Sequence, residues 1–571
     1  MLTLVLFVGI LGLILYKLTS KPKNFPPGPF RWPVIGNVLK FKLADIPTYL
    51  VMQDLKRSHG NVAGFFMAKS PMVLVSGLAE IREALAKPEF QGRPISAVNK
   101  MEKERLGMVF NDGDIWRDTR RFTLRHLREM GMGKHSMEEQ IQEETRALMK
   151  DAKRMAGDDW SQPVPVHDLI AASGVNIILQ LIAGYRFERD DPRMSELMNL
   201  VKNLTMKINT SGGLASSFPI LLRVFPWLTE YPAFKAIRDE IRQYCQEMIN
   251  DHEKKLDEND ASDFLDTYLI EMKKNGETST FNTRQLIGVV SDLFIAGSDT
   301  TTGALAYGIL NMVLNPKIQN KIQDEIDAVV GRERLPSSDD RINLKCNAMC
   351  PCCRMPYTDA TINEILRFAN VAPLAVPHSV LISDRDVTFR GYNIPQVRAN
   401  ISHPIHQVES FLRSDGRTRG AVILSSPCMK PPRRRTDCVF TVPGSWCDTS
   451  ECAVVITGSS TVEGTRIIIN LFDLHMDRKY WGDPDNFRPE RFLESSGTVR
   501  KDEALLPFGQ GKRSCVGESL ARVNLFITFT SLLQNFALRL PEGVPRPSTE
   551  PEGGLTFTTK PFSIVMKPRN V

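Results

Sequence analysis

The stretch that decides the fold lies near the C-terminus and reads Leu506-Pro-Phe-Gly-Gln-Gly-Lys-Arg-Ser-Cys-Val-Gly-Glu518. Its cysteine, Cys515, becomes an anionic ligand only where a metal or nearby positive charge and N–H donors stabilise the thiolate. The glycines at 509, 511 and 517 let the backbone approach a flat, bulky group, because they lack a Cβ. The run from Glu518 to Leu533 predicts a helix whose N-terminal dipole faces the sulfur. The stretch therefore predicts a stabilised thiolate in front of a buried helix, with an inert buried cysteine as the alternative.

The composition is that of an ordinary globular protein. The chain has 571 residues, of which 42% are hydrophobic and 24% charged. This length allows more than one domain, although single enzymes reach it. The net charge is only +6, and no basic stripe is interleaved with aromatic residues, so nucleic acid is not an expected partner.

The N-terminus predicts a membrane anchor at residues 1–20. Leu2 to Tyr16 is almost unbroken apolar sequence, and lysines follow it at positions 17, 21 and 23. The run is slightly short for a full span, but close to one if Lys17 snorkels. It lacks the basic start and the small-residue cleavage site of a secretory signal. Because positive charge follows the run, we expect an uncleaved anchor with the body in the cytosol. A cleaved signal peptide is the alternative.

A proline-rich hinge follows at residues 21–36 and contains Pro26-Pro-Gly-Pro29. Such a segment is stiff and non-helical, and it would set the orientation of the remaining body, residues 37–571, against the membrane. A second apolar piece bounded by prolines runs from Phe218 to Trp227. It predicts a second membrane contact or the lip of a substrate entrance, with buried core as the alternative, and the sequence leaves these open.

Trp116-Arg-Asp-Thr-Arg-Arg121 begins a predicted basic helix. Trp116 and Arg120 are four residues apart and therefore lie on one helical face. A packed tryptophan on a surface helix is the alternative. The arginines that form a positive face on this helix, suited to docking an acidic partner, are Arg117, Arg120, Arg121, Arg125 and Arg128.

The longest predicted helix runs from about Arg284 to Leu314, with Thr283 as its N-cap. It is apolar on nearly every face and should cross the interior. Its middle, Ala296-Gly-Ser-Asp-Thr-Thr301, is polar and weakly helical. A buried Asp299 is costly without a partner or a role, so this break favours a functional site over a local kink.

Two further motifs lie in the C-terminal third. Tyr357 to Phe368 predicts a helix on which Glu364 and Arg367 share a face and can form an ion pair. Phe487-Arg-Pro-Glu-Arg491-Phe lies downstream of that helix.

These motifs, in this order, resemble those of the cytochrome P450 family. Phe508 to Gly517 matches Phe-x-x-Gly-x-Arg-x-Cys-x-Gly, the family's haem-binding loop, in which the cysteine is the axial thiolate of haem iron. The resemblance covers residues 1–341, 354–396 and 464–571 and points to the microsomal family 2. It implies a mainly α fold with a small β-rich subdomain and an N-terminal membrane anchor, and it implies haem b as the cofactor.

The resemblance also implies roles for individual residues. Asp299 and Thr300 would be catalytic, as the acid and the alcohol that deliver protons during oxygen activation. Glu364, Arg367 and Arg491 would form a buried structural triad behind the haem loop, where buried charges need mutual pairing. Cys515 would be the metal ligand. The residues that would bind the cofactor are Arg93, Trp116, Arg120, His378, Phe508, Arg513 and Cys515.

The implied reaction is insertion of one oxygen atom from O2 into an apolar small molecule, such as a xenobiotic, a steroid or a fatty acid. Electrons would come from NADPH through a membrane-bound reductase at the endoplasmic reticulum, with cytochrome b5 as a further candidate donor. Gly509-x-Gly511 follows no βαβ pattern and is no dinucleotide fingerprint, so a separate electron donor is expected. The expected pocket lining is the segment 94–115, the region 200–230, Phe294, Ala296, Val371 to Val376, and Leu555 to Phe557.

Two segments, 342–353 and 397–463, depart from the family pattern. They hold eight of the ten cysteines but lack the paired Cys-x-x-Cys spacing of a zinc site. We interpret them as intron-derived or mis-annotated inserts, with a zinc-binding insertion as the alternative. Ile394-Pro-Gln396 and Gly464-Thr465 look like two sides of one tight turn, so the ends of the longer segment should lie close together.

Two other functions remain open from the sequence. The inserts could prevent folding or haem capture, which would leave a misfolded, non-catalytic product. Alternatively, the chain could be a haem-thiolate isomerase or a peroxygenase that needs no reductase. The presence of Asp299-Thr300 argues against this second alternative.

Overall fold

The computed structural model describes residues 2–42, 46–95, 99, 105–132, 135–188, 191–207, 217–276, 278, 280–341, 355–381, 387–396 and 464–569. The two predicted inserts lie outside these residues. The helices are α1 Leu2–Thr19, α2 Val38–Lys42, α3 Thr48–His59, α4 Leu78–Ala86, α5 Gly113–Glu129, α6 His135–Ala156, α7 Val166–Ala183, α8 Pro192–Lys207, α9 Pro219–Val224, α10 Tyr231–Lys255, α11 Phe264–Asn275, α12 Thr283–Leu314, α13 Pro316–Val329, α14 Pro356–Ala369, α15 Leu471–His475, α16 Arg478–Trp481 and α17 Glu518–Asn535. Short 3-10 turns lie at Pro88–Phe90, Pro226–Leu228, Ser338–Asp340, Pro489–Phe492 and Gly511–Arg513.

The strands are short and form small sheets beside the helices. They are β1 Val62–Met67, β2 Ser70–Val75, β3 Val164–Pro165, β4 His378–Ser379, β5 Val387–Phe389, β6 Tyr392–Ile394, β7 Arg466–Ile469, β8 Phe536–Arg539, β9 Pro551–Glu552, β10 Thr558–Thr559 and β11 Ser563–Pro568. The largest sheet has the order β1-β2-β7-β4, and the others are β3-β11-β8, β5-β6 and β9-β10. This arrangement confirms the prediction of a mainly α protein with a small β-rich part.

The central helix is α12, as the apolar pattern predicts. Most of its side chains are buried, and they join the main hydrophobic core with α7 and α17. Its N-cap is Asn282, whose side chain accepts a hydrogen bond from the Gln285 N–H at 2.9 Å. The prediction that Thr283 caps the helix is therefore wrong by one residue: both are short polar residues, and Thr283 is already helical.

Glycines let α7 and α12 pack closely. A Cβ on Gly174 would lie 2.7 Å from Thr302 Oγ1, and one on Gly297 would lie 2.3 Å from the Cδ1 atom of Ile178. By length and composition α7 could cross a membrane, but 78% of it is buried in the protein. It is therefore a core helix, and its contact fixes the middle of α12 in the interior.

The β-rich side holds the strand that follows the longer segment. β2 pairs with β7 in parallel, with Met72 opposite Arg466 and Val75 opposite Ile469, and β4 joins antiparallel on the other side of β7. β1 and β2 form a hairpin and pair antiparallel from Val62↔Val75 to Met67↔Ser70.

The two apolar segments outside the core are exposed. The described side chains of α1 from Leu6 to Tyr16 are exposed. In the segment from Phe218 to Trp227, Leu222 is buried, but Ile220 and Trp227 are 62% and 69% exposed. Buried core is therefore the wrong alternative for most of this segment.

Candidate active site

The loop before α17 curls around the cysteine. The Cys515 N–H donates a hydrogen bond to the Phe508 carbonyl at 2.9 Å, which closes the loop on itself. Gly509 and Gly511 have φ angles of 68° and 76°, which other residues rarely adopt. A Cβ on Gly511 would also lie 2.8 Å from the carbonyl oxygen of Leu85. Two of the three glycines are therefore required by the turn itself.

The Cys515 sulfur is enclosed, although the residue has accessible surface. Cys515 lines a cavity of the protein. Burial raises the pKa of Cys515, whereas a hydrogen bond from the Gly517 N–H and the charge of Arg120 act in the opposite direction. The thiol therefore stays neutral on its own, and the positive charge of a bound metal cation would stabilise its thiolate form.

The cavity has a volume of about 640 Å³ and separates Cys515 from the middle of α12. Ala296 and Thr300 lie on the α12 wall, and most of the lining is apolar. The predicted lining is largely confirmed, although Phe294 does not line the cavity and is buried in the core. The predicted regions contribute Met108, Phe110, Leu204, Thr205, Val371, Val376, Leu555 and Thr556.

Thr300 and Asp299 point to different places. The Thr300 hydroxyl donates to the Ala296 carbonyl at 2.7 Å, and the residue lines the cavity. Asp299 does not line it, and its Oδ2 accepts a hydrogen bond from the Thr556 hydroxyl at 2.5 Å. Burial raises the pKa of Asp299, and the hydrogen bonds from Thr556 and Thr205 oppose that rise.

Basic side chains gather at one end of the cavity. The Arg513 guanidinium lies over the Trp116 ring, 3.7 Å from its centroid, and Arg513 Nε donates to the Gln91 carbonyl at 2.9 Å. Arg93 donates to the carbonyls of Val109, Val376 and Pro377 at 2.8–3.0 Å. Burial and the charge of Arg513 hold the pKa of Arg93 well below its usual value. An anion at this end would relieve that repulsion.

Arg120 and His378 complete this end of the cavity. Arg120 Nη2 donates to the Ser514 carbonyl at 2.7 Å, so Arg120 supports the cysteine loop rather than the exposed face of α5. His378 Nδ1 lies 2.8 Å from the Phe90 carbonyl, which fixes the proton on that nitrogen. Burial and the charge of Arg93 lower the pKa of His378 to about 3. The ring is therefore neutral in this arrangement.

The three residues of the predicted triad are in contact. Arg367 Nε and Nη2 donate to the Glu364 carboxylate at 2.7 and 2.8 Å, and both side chains are fully buried. Arg491 Nε donates to Glu364 Oε1 at 3.1 Å. The remaining N–H groups of the two arginines bond backbone carbonyls, including those of His475 and Trp481, and Arg491 also donates to the Asp483 carboxylate at 3.3 Å. This pairing compensates the cost of burying three charges.

A sequence model of the family described as Cytochrome P450 matches residues 26–402 and 449–566. The chain belongs to the cytochrome P450 family. Cytochromes P450 are haem-thiolate iron proteins with an axial cysteine, and this chain is a monooxygenase of that class. The family match leaves out residues 403–448, which lie within the longer predicted insert. It includes the shorter predicted insert, residues 342–353.

Individual cytochromes P450 match almost the whole chain. Farnesoate epoxidase of Bombyx mori is 32% identical over 579 residues, which cover 100% of this chain and 99% of that protein. Cytochrome P450 2C14 of Oryctolagus cuniculus is 32% identical over 93% of this chain and 91% of its own length. Cytochrome P450 2J2 of Homo sapiens is 33% identical over 93% and 90%. The prediction of a family 2-like cytochrome P450 is confirmed.

The residues of this cytochrome P450 fit the haem. The cavity places the Cys515 sulfur opposite α12, with space between them for a flat group. Arg513 Nη2 is buried and has no hydrogen-bond partner within the described part of the chain. The cluster of basic side chains around it suits the negative charges of haem propionates.

Sequence reasoning missed two residues of this site. Arg466, at the start of β7, lines the cavity but belongs to no local motif. His475 accepts a hydrogen bond at Nε2 from the Leu506 N–H at 3.0 Å, while its backbone carbonyl accepts from Arg367 at 2.7 Å. Burial lowers its pKa to about 3, which keeps that nitrogen an acceptor. His475 thus connects the triad to the start of the cysteine loop.

A second group of possible metal ligands consists of His252, Asp263 and Asp266, which do not line the cavity. Their ligand atoms lie within 4.8 Å of one another. Asp263 caps α11 by accepting from the Asp266 N–H at 3.0 Å, and Asp266 accepts from the Ser262 N–H at 3.2 Å. We interpret the two aspartates as the N-terminal cap of α11, which His252 on α10 contacts through Asp263.

Proposed function

We propose that this cytochrome P450 inserts one oxygen atom from O2 into an apolar small molecule, with electrons from NADPH delivered by a membrane-bound reductase. The observation that carries the proposal is a single cavity that brings Cys515 and Thr300 onto facing walls. Haem bound in this cavity would supply the activation of O2. The protein would bind and orient the substrate, exclude water and hold protons.

Cys515 would be the axial ligand of the iron. The Gly517 N–H and the charge of Arg120 already favour the thiolate, and iron would shift the balance that burial sets against it. Phe508 lines the cavity beside the cysteine, and the Arg522 guanidinium lies 4.9 Å from its ring centroid. This packing would hold the loop in position when the cofactor binds.

The basic end of the cavity would bind the propionates. Trp116 holds Arg513 in place by stacking, and the unbonded Arg513 Nη2 would donate to a carboxylate. Arg93 and Arg120 would supply further positive charge. His378 could donate from Nε2 only as an imidazolium, because its Nδ1 proton bonds Phe90. A carboxylate at this position would therefore raise the pKa of His378 from about 3.

Thr300 would hold a proton at the cavity wall. Its hydroxyl now donates to the Ala296 carbonyl, and rotation about χ1 would turn it towards the cavity. Asp299, the predicted acid of the pair, bonds Thr556 instead, so its role in proton delivery stays a prediction. The substrate would contact the apolar wall, which includes Ile178, Val371 and Leu555.

We assign the chain to the endoplasmic reticulum membrane, with the body in the cytosol. The exposed apolar side chains of α1, and those of Phe30, Ile220 and Trp227, would contact lipid. These positions agree with a membrane anchor at 1–20, a hinge at 21–36 and a catalytic domain at 37–571. The name of the Bombyx mori relative, farnesoate epoxidase, adds epoxidation to the reactions that we propose.

The reductase, and cytochrome b5 as a second donor, would dock on the exposed face of α5. Arg121 and Arg128 are exposed there. Arg117 and Arg125 pair with acidic neighbours on the same helix at 2.7 and 3.0 Å. Since exposed pairs of this kind contribute little to stability, an acidic partner could compete for these arginines.

The test is turnover of the purified full-length protein with reductase and NADPH under ¹⁸O₂, using apolar alcohols, steroids and fatty acids as substrates. We expect products that carry one ¹⁸O atom and form only when reductase and NADPH are both present. Products without ¹⁸O would contradict the proposal. Equal turnover with hydrogen peroxide and no reductase would support a peroxygenase instead.

A further inference from the structure

The carboxylate of Asp299 lies where three elements around the cavity meet: α12, the end of α8 and the turn between β9 and β10. Asp299 lies in the middle of α12, and its Oδ2 accepts from the hydroxyl of Thr556, in the turn between β9 and β10. Thr205, near the C-terminal end of α8, lies close enough to this carboxylate to lower its pKa, and its hydroxyl donates to the Lys202 carbonyl at 3.1 Å. The two partners line the cavity, whereas Asp299 lies behind them. Asp299 thus acts on the cavity through its neighbours.

Backbone contacts show that the turn between β9 and β10 depends on the same neighbours. The Leu555 N–H donates to the Thr205 carbonyl at 3.2 Å, and the Phe557 N–H donates to the Val371 carbonyl at 2.8 Å. A Cβ on Gly303 would lie 2.8 Å from the Phe557 carbonyl, so α12 approaches this turn closely. The turn is therefore held between α8, α12 and the segment after α14.

Where the Asp299 carboxylate is ionised, its negative charge strengthens these bonds. A hydrogen bond to an ionised group contributes roughly twice as much as one between neutral groups. Lys202, one turn before Thr205 on α8, also attracts the carboxylate electrostatically. Both α8 and the turn are thus drawn towards the same carboxylate of the central helix.

We propose that Asp299 is a positioning residue that ties the end of α8 and the turn at Thr556 to α12, and so sets how fast the cavity opens to an apolar ligand. The inference rests on the proposed function only in taking this cavity as the substrate site. Of the two residues, Thr300 remains the one that lines the cavity.

Hydrogen exchange of the full-length holoenzyme tests, without any substrate, whether Asp299 ties α8 and the turn to α12. In Asp299→Ala, Thr556→Val and Thr205→Val, amides in 553–557 and at the end of α8 should exchange roughly tenfold faster, the effect of losing one charge-assisted hydrogen bond. Thr556→Ser keeps the hydroxyl and should restore the slow rate. The two threonine variants leave Asp299 intact, so they decide the question even if Asp299→Ala fails to fold.

Ligand kinetics give the second measurement. Binding of decylimidazole is followed by stopped-flow absorbance of the haem. It should associate and dissociate roughly tenfold faster in the same variants, because the end of α8 and the turn at Thr556 move apart more readily. Its affinity should change little. Glu258→Gln, which breaks an exposed ion pair with Lys273 outside the cavity lining, should leave both rates unchanged. Failure of wild-type protein to bind decylimidazole would contradict the proposed function, while the exchange data would still test whether Asp299 ties α8 and the turn to α12.

Two results would overturn the inference. One is unchanged amide exchange in all three variants. The other is unchanged exchange in Asp299→Ala together with more peroxide released per NADPH oxidised, which would assign Asp299 to proton delivery alone.

Discussion

The Thr465 hydroxyl donates a hydrogen bond to the Pro395 carbonyl at 2.5 Å, although the two residues are 70 positions apart in the sequence. The Val380 N–H also donates to the Thr465 carbonyl at 3.1 Å. The two ends of the segment 397–463 are therefore held at neighbouring points of the β-rich side. A segment attached at such a turn adds a closure cost that grows only logarithmically with its length.

Deleting 397–463 together with 342–353 should give a protein that expresses better and binds haem at least as well. The ends of the longer segment already meet, and Arg341 before the shorter one bonds Asp359 at 2.7 Å across it. The measurement is haem content per milligram in the full chain, each single deletion and the double deletion. Loss of haem binding in the double deletion would mean that the segments are integral to the fold.

Replacing Thr300 with alanine should keep haem binding but uncouple NADPH use from product formation. Thr300 lines the cavity, and a positioned proton donor contributes about 10²–10⁴-fold to rate, so product per NADPH should fall by about tenfold or more. Peroxide per NADPH oxidised is the direct measure, and Thr300→Ser is the matched control. An unchanged ratio in Thr300→Ala would show that the side chain only packs.

Glu364→Gln should strongly destabilise the protein. The substitution removes the carboxylate that Arg367 and Arg491 share, and leaves Arg491 only a contact with Asp483 at 3.3 Å. Losing one partner of a buried pair costs about 3–5 kcal/mol. Urea midpoints of the holoenzyme measure this cost. Glu258→Gln, which breaks an exposed pair with Lys273, is the control and should change nothing measurable. Equal midpoints for both variants would rule out a structural triad.

The stability of the α10–α11 contact should fall between about pH 6.5 and 9. Burial opposes the charged form of His252, but the bonds to Asp263 and the Met248 carbonyl prevail and raise its pKa to about 9. The folded state therefore binds more protons than the unfolded state in this window, so stability decreases as pH rises through it. Apparent unfolding temperatures measured across that range should show the decrease.

His252→Gln is the matched variant for this prediction, because it removes the titrating group but keeps a hydrogen-bonding side chain. Its unfolding temperature should change less over the same window. A pH dependence identical to that of the wild type would exclude His252 as its source.

Much of the site could be predicted because each motif combines residue type with local spacing. Cys515 lies in a ten-residue pattern, and Glu364 and Arg367 share a helical face by their separation alone. Thr300 was predictable because a polar break in a buried helix is costly unless it has a function.

The rest depends on contacts between distant segments. The α12 pattern does not reveal that Asp299 faces Thr556, 257 residues later in the chain. His475 is an ordinary buried histidine in the sequence, and only the fold brings it to Leu506. Arg120 shares its periodicity with exposed arginines, yet it bonds Ser514. Local spacing fixes which residues share a face, but tertiary packing decides what that face meets.

The carbon monoxide difference spectrum of the reduced protein tests the central claim most directly. Wild-type protein should show the Soret band of a thiolate-ligated haem. Cys515→Ser should lose both the band and all monooxygenase activity, because a hydroxyl is a far poorer anionic ligand. Cys245→Ser should keep the band, because Cys245 is buried in α10 next to Ser291. A thiolate band or unchanged turnover in Cys515→Ser would contradict the assignment of Cys515 as the iron ligand.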